Sequence, residues 1–245
     1  MSDLVLGLLG SGEFEPWAGV VDRELLERAR VGDGRALVIP TACAPEGEDV
    51  WEKWAAMGLR HYESLGIPAE VVELKTRADA EDPAIVERLT DASLAFFSGG
   101  NPAYLAATLR DSPFWERLLQ GMRAGLAYGG CSAGIACLGE RAPDNTVDDP
   151  TSPDFWKPGL GLFPRLHFGP HWDALETYMP GLQRIVCDAV PEGDALLAVD
   201  ERTAVVGDGA EWKVVGAGAA HYLTGGEWST FGTDESFSLP LIPPG

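Results

Sequence analysis

Gly125-Leu126-Ala127-Tyr128-Gly129-Gly130-Cys131-Ser132-Ala133-Gly134, continuing into small residues as far as Leu138, is the stretch that decides the fold. An apolar strand runs into G-x-S-x-G and then into a helix, the pattern of a nucleophile elbow, where the strand-to-helix turn is too sharp for bulky neighbours. Glycines on both sides of Ser132 leave room for a strained backbone and let the hydroxyl project at the end of a sheet. The following helix is expected to aim its first N–H groups and its positive dipole end at the point where an oxyanion would form. G-x-S-x-G by itself also describes an ordinary Gly-rich turn. The strand-turn-helix setting is what points to chemistry.

Outward from that turn, apolar runs alternate with helical patterns. Leu4–Leu9, Ala36–Pro40, Val71–Leu74 and Leu94–Phe97 read as strands, and Asp22–Arg30, Glu48–Leu65 and Asp82–Leu89 as helices. Gly66-Ile67-Pro68 stops the second helix, and Asp82-Pro83 opens the third. Near-continuous apolar strands in βαβα order predict an α/β fold, doubly wound around a mostly parallel sheet buried on both faces. Arg141–Gly161, rich in Asp, Pro, Thr and Ser, reads as a long loop and a candidate lid. Ala204-Val205-Val206 and Trp212-Lys213-Val214-Val215 read as a hairpin closed at Gly207-Asp208-Gly209. No repeat or linker divides the chain, so residues 1–245 are expected to form one domain.

The 245 residues carry 38 acidic and 18 basic side chains, a formal net charge of −20. Such a field repels nucleic acid and anionic membranes, and neither is expected as a partner. No apolar stretch approaches the ~20 residues a bilayer span needs. Met1-Ser2-Asp3-Leu4 lacks the basic segment of a signal peptide, and four cysteines without C-x-x-C spacing suit a reduced cytoplasmic protein. No His, Cys, Asp and Glu cluster has metal-ligand spacing, and Gly10-Ser11-Gly12-Glu13 stops short of both a Walker A loop and a dinucleotide fingerprint. No cofactor is expected.

A serine nucleophile needs a base within hydrogen-bond reach, and the base needs an orienting carboxylate. Of the four histidines, His61 falls inside a helical pattern and is expected at the surface, while His221 falls in a late strand where a packed ring is expected. His167 and His171 flank the Gly169-Pro170 break after an apolar run, downstream of Ser132 as in α/β serine hydrolases. Spacing leaves both open, with His171 better placed for exposure.

At this point four motifs matter together: Gly99-Gly100-Asn101, Tyr128–Gly134, Gly161–Pro164 with Pro170-His171-Trp172, and Asp200-Glu201-Arg202-Thr203-Ala204. In this order they resemble the serine peptidases that include aspartyl dipeptidase (dipeptidase E) and cyanophycinase, built on the class I glutamine-amidotransferase-like, flavodoxin-like fold. The resemblance covers most of the chain. It implies Ser132 as nucleophile and His171, in its Pro-His-aromatic setting, as base. For the carboxylate it implies Glu201 by the cyanophycinase-like pattern, or Asp144 or Asp148 by the dipeptidase-like one; Glu201 is the expectation adopted. An oxyanion hole is expected from the N–H of Ala133 and one from Gly99-Gly100, where the backbone must reach the substrate carbonyl with no side chain between. Asn101 is a candidate substrate contact. A small peptide or amide substrate, with a peptide bearing an acidic N-terminal residue among the candidates, and a homodimer complete what the resemblance implies.

The chain also departs from the cyanophycinase pattern. Trp172 to Leu182 contains no arginine where that pattern carries several, which puts cyanophycin in doubt as substrate. Arg165 and Arg184 are the remaining candidate anchors for a substrate carboxylate, and Trp156 and Trp172 candidate walls. Cys131 is expected to point to the other side of the turn as a buried small residue rather than act as an amidotransferase-type nucleophile. The competing classes are an amide hydrolase or acyltransferase on a non-peptide metabolite, and a non-catalytic binding member of the fold.

Overall fold

The apolar runs divide their side chains between two faces. Leu6, Leu8, Leu37, Ile39, Ala95 and Phe97 enter one buried cluster, and Val5, Leu9, Ala36, Val38, Leu94 and Phe96 enter another. Strands with period-two burial on both sides need helices above and below, which is the condition for a covered parallel sheet. The computed structural model describes residues 4–239 and has this arrangement.

The strands are β1 (Val5–Leu9), β2 (Arg35–Ile39), β3 (Ala69–Val71), β4 (Ala92–Phe97), β5 (Ala127–Cys131), β6 (Arg141–Pro143), β7 (Trp156–Pro158), β8 (Leu166–Gly169), β9 (Ala195–Val199), β10 (Thr203–Gly207), β11 (Glu211–Gly216), β12 (Ala219–Thr224), β13 (Glu227–Gly232) and β14 (Ser236–Ser238). The helices are α1 (Gly19–Arg28), α2 (Glu48–Leu65), α3 (Arg77–Glu81), α4 (Pro83–Val86), α5 (Pro102–Leu109), α6 (Pro113–Ala124), α7 (Ala133–Ala136), α8 (Leu175–Tyr178) and α9 (Leu182–Asp188).

The central sheet runs β3-β2-β4-β5-β1 in parallel and continues antiparallel through β10, β11 and β14. The α/β fold with a mixed, mostly parallel sheet agrees with the expectation. Helices α5 and α6 pack on one face through Leu105, Leu109, Phe114 and Leu118, and α1 and α2 on the other through Val21, Leu25 and Tyr62. A second sheet, β8-β9-β12-β13, shares the first cluster through Phe168, Leu197 and Tyr222, so both sheets rest on one core.

The expected hairpin forms between β10 and β11. Asp208 Oδ1 accepts the N–H groups of Ala210 and Glu211, each at 2.8 Å, closing its turn. Three boundaries differ from expectation. Strand β3 ends at Val71 rather than Leu74 because Leu74 N–H folds back to Val72 C=O at 2.7 Å and the Thr41 hydroxyl takes Leu74 C=O at 2.6 Å. The first helix starts earlier, at Gly19, fed by a 3-10 turn that opens on Pro16. The Asp82-capped segment stays α-helical only to Val86 and tightens into a 3-10 turn over Glu87–Leu89.

Two further expectations are corrected. His61 is buried, not superficial: its Nε2 lies 2.7 Å from Asp22 Oδ2, and Tyr62 donates to Asp22 Oδ1 at 3.1 Å. Helix α2 turns that face onto α1, and a buried imidazole needs the polar partner that Asp22 supplies. Arg141–Gly161 is neither one long loop nor a wall of the cavity at Ser132. Strands β6 and β7 pair as a ribbon against α5, and no residue of the segment lines the cavity at Ser132.

Candidate active site

In a parallel sheet, crevices form outside the carboxyl ends of the strands. Five such ends converge here. Ser11–Glu13 follow β1, Gly99 and Gly100 follow β4, Ser132 follows β5, His171 follows β8 and Glu201 follows β9. They line a cavity of about 830 Å³, completed by Trp54 and Met57 of α2. The first three ends belong to the central sheet and the last two to the second sheet, so the cavity opens where the sheets meet.

Ser132 leaves β5 with φ 51° and ψ −104°, a region that costs a non-glycine residue about 1–3 kcal/mol. The core over-determines it. Ser132 N–H donates to Leu9 C=O at 3.0 Å, and Tyr128 donates its hydroxyl to Gly134 C=O at 2.6 Å. A Cβ on Gly130 would stand 2.5 Å from Gly134 O, so the turn closes this tightly only with glycine there. Helix α7 is a single turn, Ala133–Ala136, shorter than expected, which leaves the Ala133 N–H rather than a long helix dipole as the local donor.

Ser132 Oγ lies 2.8 Å from His171 Nε2, and His171 Nδ1 lies 3.0 Å from Glu201 Oε1. His171 sits in the left-handed region (φ 55°, ψ 32°) just past the Gly169-Pro170 break, which swings its ring back toward β5. Asp173 Oδ1 accepts Glu201 N–H at 2.8 Å, tying the two segments of the second sheet together. Tyr178 donates to the same Glu201 oxygen at 2.7 Å and stands edge-on to the His171 ring. The Tyr178 hydroxyl and then the His171 ring hold Glu201 below the usual carboxylate value, while the same bond pushes Tyr178 up to about 12.

His167 is not in this group; its Nε2 pairs with Asp194 at 3.0 Å. His221 lies in β12 as expected, with Asp200 and Thr230 as partners. Asp144 and Asp148 are not on His171: Asp144 accepts from Asn101 Nδ2 at 2.8 Å and from Thr146, and Asp148 lies in the ribbon segment outside the cavity.

Asn101 departs from expectation. Its Oδ1 accepts Tyr104 N–H at 3.0 Å as the cap of α5 and its Nδ2 is given to Asp144, so the side chain is consumed locally and does not line the cavity at Ser132. Arg165 and Arg184 also fall outside the cavity, paired with Asp194 and Asp188. Trp172 is buried beneath the second sheet against Leu196 and Ala198, and Trp156 lies in β7, so neither walls the site.

Gly99 and Gly100 are at the cavity, but not as equals. Gly99 N–H donates to Glu13 Oε1 at 2.8 Å. Gly100, at φ 140°, would put a Cβ 2.3 Å from the Ala42 carbonyl carbon, so only glycine lets the backbone pass there. Cys131 faces the opposite side of the turn, fully buried, with Sγ 2.8 Å from Glu13 Oε2. Burial, and then the Glu13 charge, push this thiol well above its ordinary 9.0 and keep it an S–H donor. Four contributors escaped the sequence reading: Glu13, Asp173, Tyr178 and Arg202. For Glu13 a signal existed, since Gly10-Ser11-Gly12-Glu13 directly follows a strand that proves to be the neighbour of β5. Among the described residues no group of three or more His, Cys, Asp or Glu side chains is arranged to hold a metal ion.

An arrangement of hydroxyl, imidazole and carboxylate in series, with the N–H groups of Ala133 and Gly100 making no hydrogen bond among the described residues, is equipped for acyl transfer. Comparison with known proteins agrees in kind. The chain is 26% identical over 225 residues to a cyanophycinase of Nostoc sp. and equally to one of Trichormus variabilis, covering 86% of this chain and 70% of each relative. The crystal structure of a peptidase from an acI-B1 actinobacterium superimposes with TM-score 0.86 and 31% identity over 96% of both chains. A putative peptidase E from Listeria monocytogenes shares the fold, with TM-score 0.59 and 18% identity over 94% of this chain and 99% of that one. Residues 6–215 match the model of peptidase family S51, and the chain belongs to that family.

Proposed function

We propose that the protein is a serine peptidase-like hydrolase that cleaves an amide bond of a small peptide through Ser132, His171 and Glu201. The observation that carries this reading is the unbroken series Ser132 Oγ–His171 Nε2 at 2.8 Å and His171 Nδ1–Glu201 Oε1 at 3.0 Å, facing a cavity large enough for a short peptide.

In this mechanism His171 takes the Ser132 proton as Oγ attacks the carbonyl carbon, and Glu201 fixes the ring tautomer and stabilises the imidazolium. The tetrahedral oxyanion is received by the N–H groups of Ala133 and Gly100. Collapse breaks the C–N bond, His171 returns the proton to the leaving amine, and an acyl-enzyme remains. Water, deprotonated by His171, then releases the acid and restores Ser132. The cavity favours a substrate carrying a free ammonium group, because Glu13, Glu15, Asp173 and Glu201 line it against Arg202. Arg202 is itself paired with Glu15 at 3.1 Å, so an acidic substrate group must compete with Glu15 for it. Four free cysteines suit action in a reducing compartment such as the cytoplasm.

The test is intact-mass analysis after a fluorophosphonate probe, on wild type and Ser132→Ala, followed by a dipeptide panel. A single adduct on the wild type that is lost in the variant, with turnover of peptides, is expected. No adduct on a folded wild type refutes the serine reading. An adduct without peptide turnover moves the substrate to a non-peptide amide.

A further inference from the structure

The serine reading asks for two oxyanion donors, and the loop that supplies one of them is held by a side chain outside the series Ser132, His171 and Glu201. Glu13 is buried, 6% exposed, and reaches the site from the end of β1. Its position is built into the core: Phe14, next along the chain, has φ 64° and packs its ring 5.3 Å from Phe96. The carboxylate has no cationic partner among the described residues. One oxygen accepts Gly99 N–H and the other accepts the Cys131 thiol, both at 2.8 Å. These donors belong to the two segments that flank Ser132, the turn after β4 and the last residue of β5.

The rest of that turn is fastened as well. Gly100 C=O accepts from Asn145 Nδ2 at 3.1 Å, and Asn101 N–H donates to Ala42 C=O at 2.8 Å. What remains is one peptide plane, Gly99–Gly100, whose C=O and N–H make no hydrogen bond among the described residues. A peptide between two glycines has little to stop it rotating. If it turned over, a carbonyl would face the oxyanion where an N–H is needed. The bond from Glu13 to Gly99 N–H fixes the preceding plane and, with it, the torsion about which this peptide would flip.

We propose that Glu13 is the positioning residue of the oxyanion site, holding the Gly99 turn against β5 so that the Gly99–Gly100 peptide presents Gly100 N–H to the oxyanion formed at Ser132. The same bond removes Gly99 N–H from the donors, which assigns the role to Gly100 alone. This inference rests on the serine-hydrolase reading.

The experiment measures phosphonylation of Ser132 by the fluorophosphonate probe, separated into maximal rate and probe affinity, for wild type, Glu13→Met and Glu13→Gln. Thermal unfolding of each is followed alongside. Methionine fills the volume without a strong acceptor and is expected to lower the maximal rate on the order of 10²-fold, as loss of an oxyanion donor does, with probe affinity unchanged. Glutamine keeps an acceptor for Gly99 N–H and should stay within about fivefold of wild type, the difference between a charge-assisted and a neutral bond. A folded Glu13→Met labelled at the wild-type rate overturns the proposal, as does a loss confined to affinity. Should Glu13→Met not fold, a 10²-fold loss in folded Glu13→Gln overturns the hydrogen-bond account, and retained labelling upholds it. An unlabelled wild type overturns the serine reading and this inference together; a labelled wild type beside an unaffected Glu13→Met overturns this inference alone.

Discussion

Glu201→Gln isolates the charge of the proposed triad, because an amide oxygen still accepts from His171 Nδ1 and Tyr178 at the same position. What is lost is the attraction between a carboxylate and the imidazolium that forms as Ser132 is deprotonated. At about 4 Å between charge centres that attraction is ~1 kcal/mol in water and ~4 kcal/mol at an effective dielectric constant of 20. The Glu201 side chain is 38% exposed and that of His171 25%, so the site lies between these limits. A central value of about 2.8 kcal/mol is a hundredfold in rate. The assay is the second-order rate constant of Ser132 phosphonylation, read by intact mass against time, for Glu201→Gln and for Asp144→Asn. Glu201→Gln should be about a hundredfold slower. Asp144→Asn should match the wild type, since that carboxylate serves Asn101 and Thr146 and does not line the cavity at Ser132. The reverse result, a normal Glu201→Gln and a slow Asp144→Asn, would refute the assignment of the carboxylate.

Cys131, buried and with its thiol pushed well above 9.0, should resist iodoacetamide in the native protein while half-buried Cys187 reacts first; peptide mapping that finds Cys131 alkylated early would contradict its placement behind the turn. Tyr178→Phe removes the larger of the two contacts that hold Glu201 below its ordinary 4.5. A carboxylate depressed on folding stabilises the native state above its unfolded value and loses that contribution as pH falls through the folded one. The wild-type advantage over Tyr178→Phe in urea unfolding should therefore be present at neutral pH and vanish below the ordinary carboxylate range, whereas an advantage constant with pH would mean Tyr178 acts by packing. Asp22→Ala leaves the buried His61 ring and Tyr62 hydroxyl without their shared acceptor. At about 1–3 kcal/mol for each of the two stranded groups, denaturant unfolding should show a loss of about 2–6 kcal/mol, and a loss below about 1 kcal/mol would mean that water reaches the pair.

Local chemistry made much of this chain legible from its sequence. Apolar runs of strand length with period-two burial, the Gly66 and Asp82-Pro83 helix signals and the Asp208 turn each act within a few residues, so the parallel sheet and the hairpin could be read directly. The Gly130 requirement is equally local, because a Cβ there would stand 2.5 Å from Gly134 O. Ser132 stood out for that reason. The Gly134 requirement is tertiary, a Cβ there standing 2.5 Å from Phe97 O of β4. The partners of Ser132 did not follow from spacing, since His167 and His171 lie four residues apart on either side of a break; only the motif resemblance separated them. Tertiary structure decided the rest. It put the ends of β1, β4 and β5 beside those of β8 and β9, aimed His171 through a left-handed residue, consumed Asn101 in a helix cap and buried His61 against α1. It also brought Glu13 to Gly99 across 86 positions and to Cys131 across 118. Hydrogen bonds of such sequence separation leave no periodicity or spacing behind them, because which groups meet is set by how the sheets pack and not by the residues next to them in the chain.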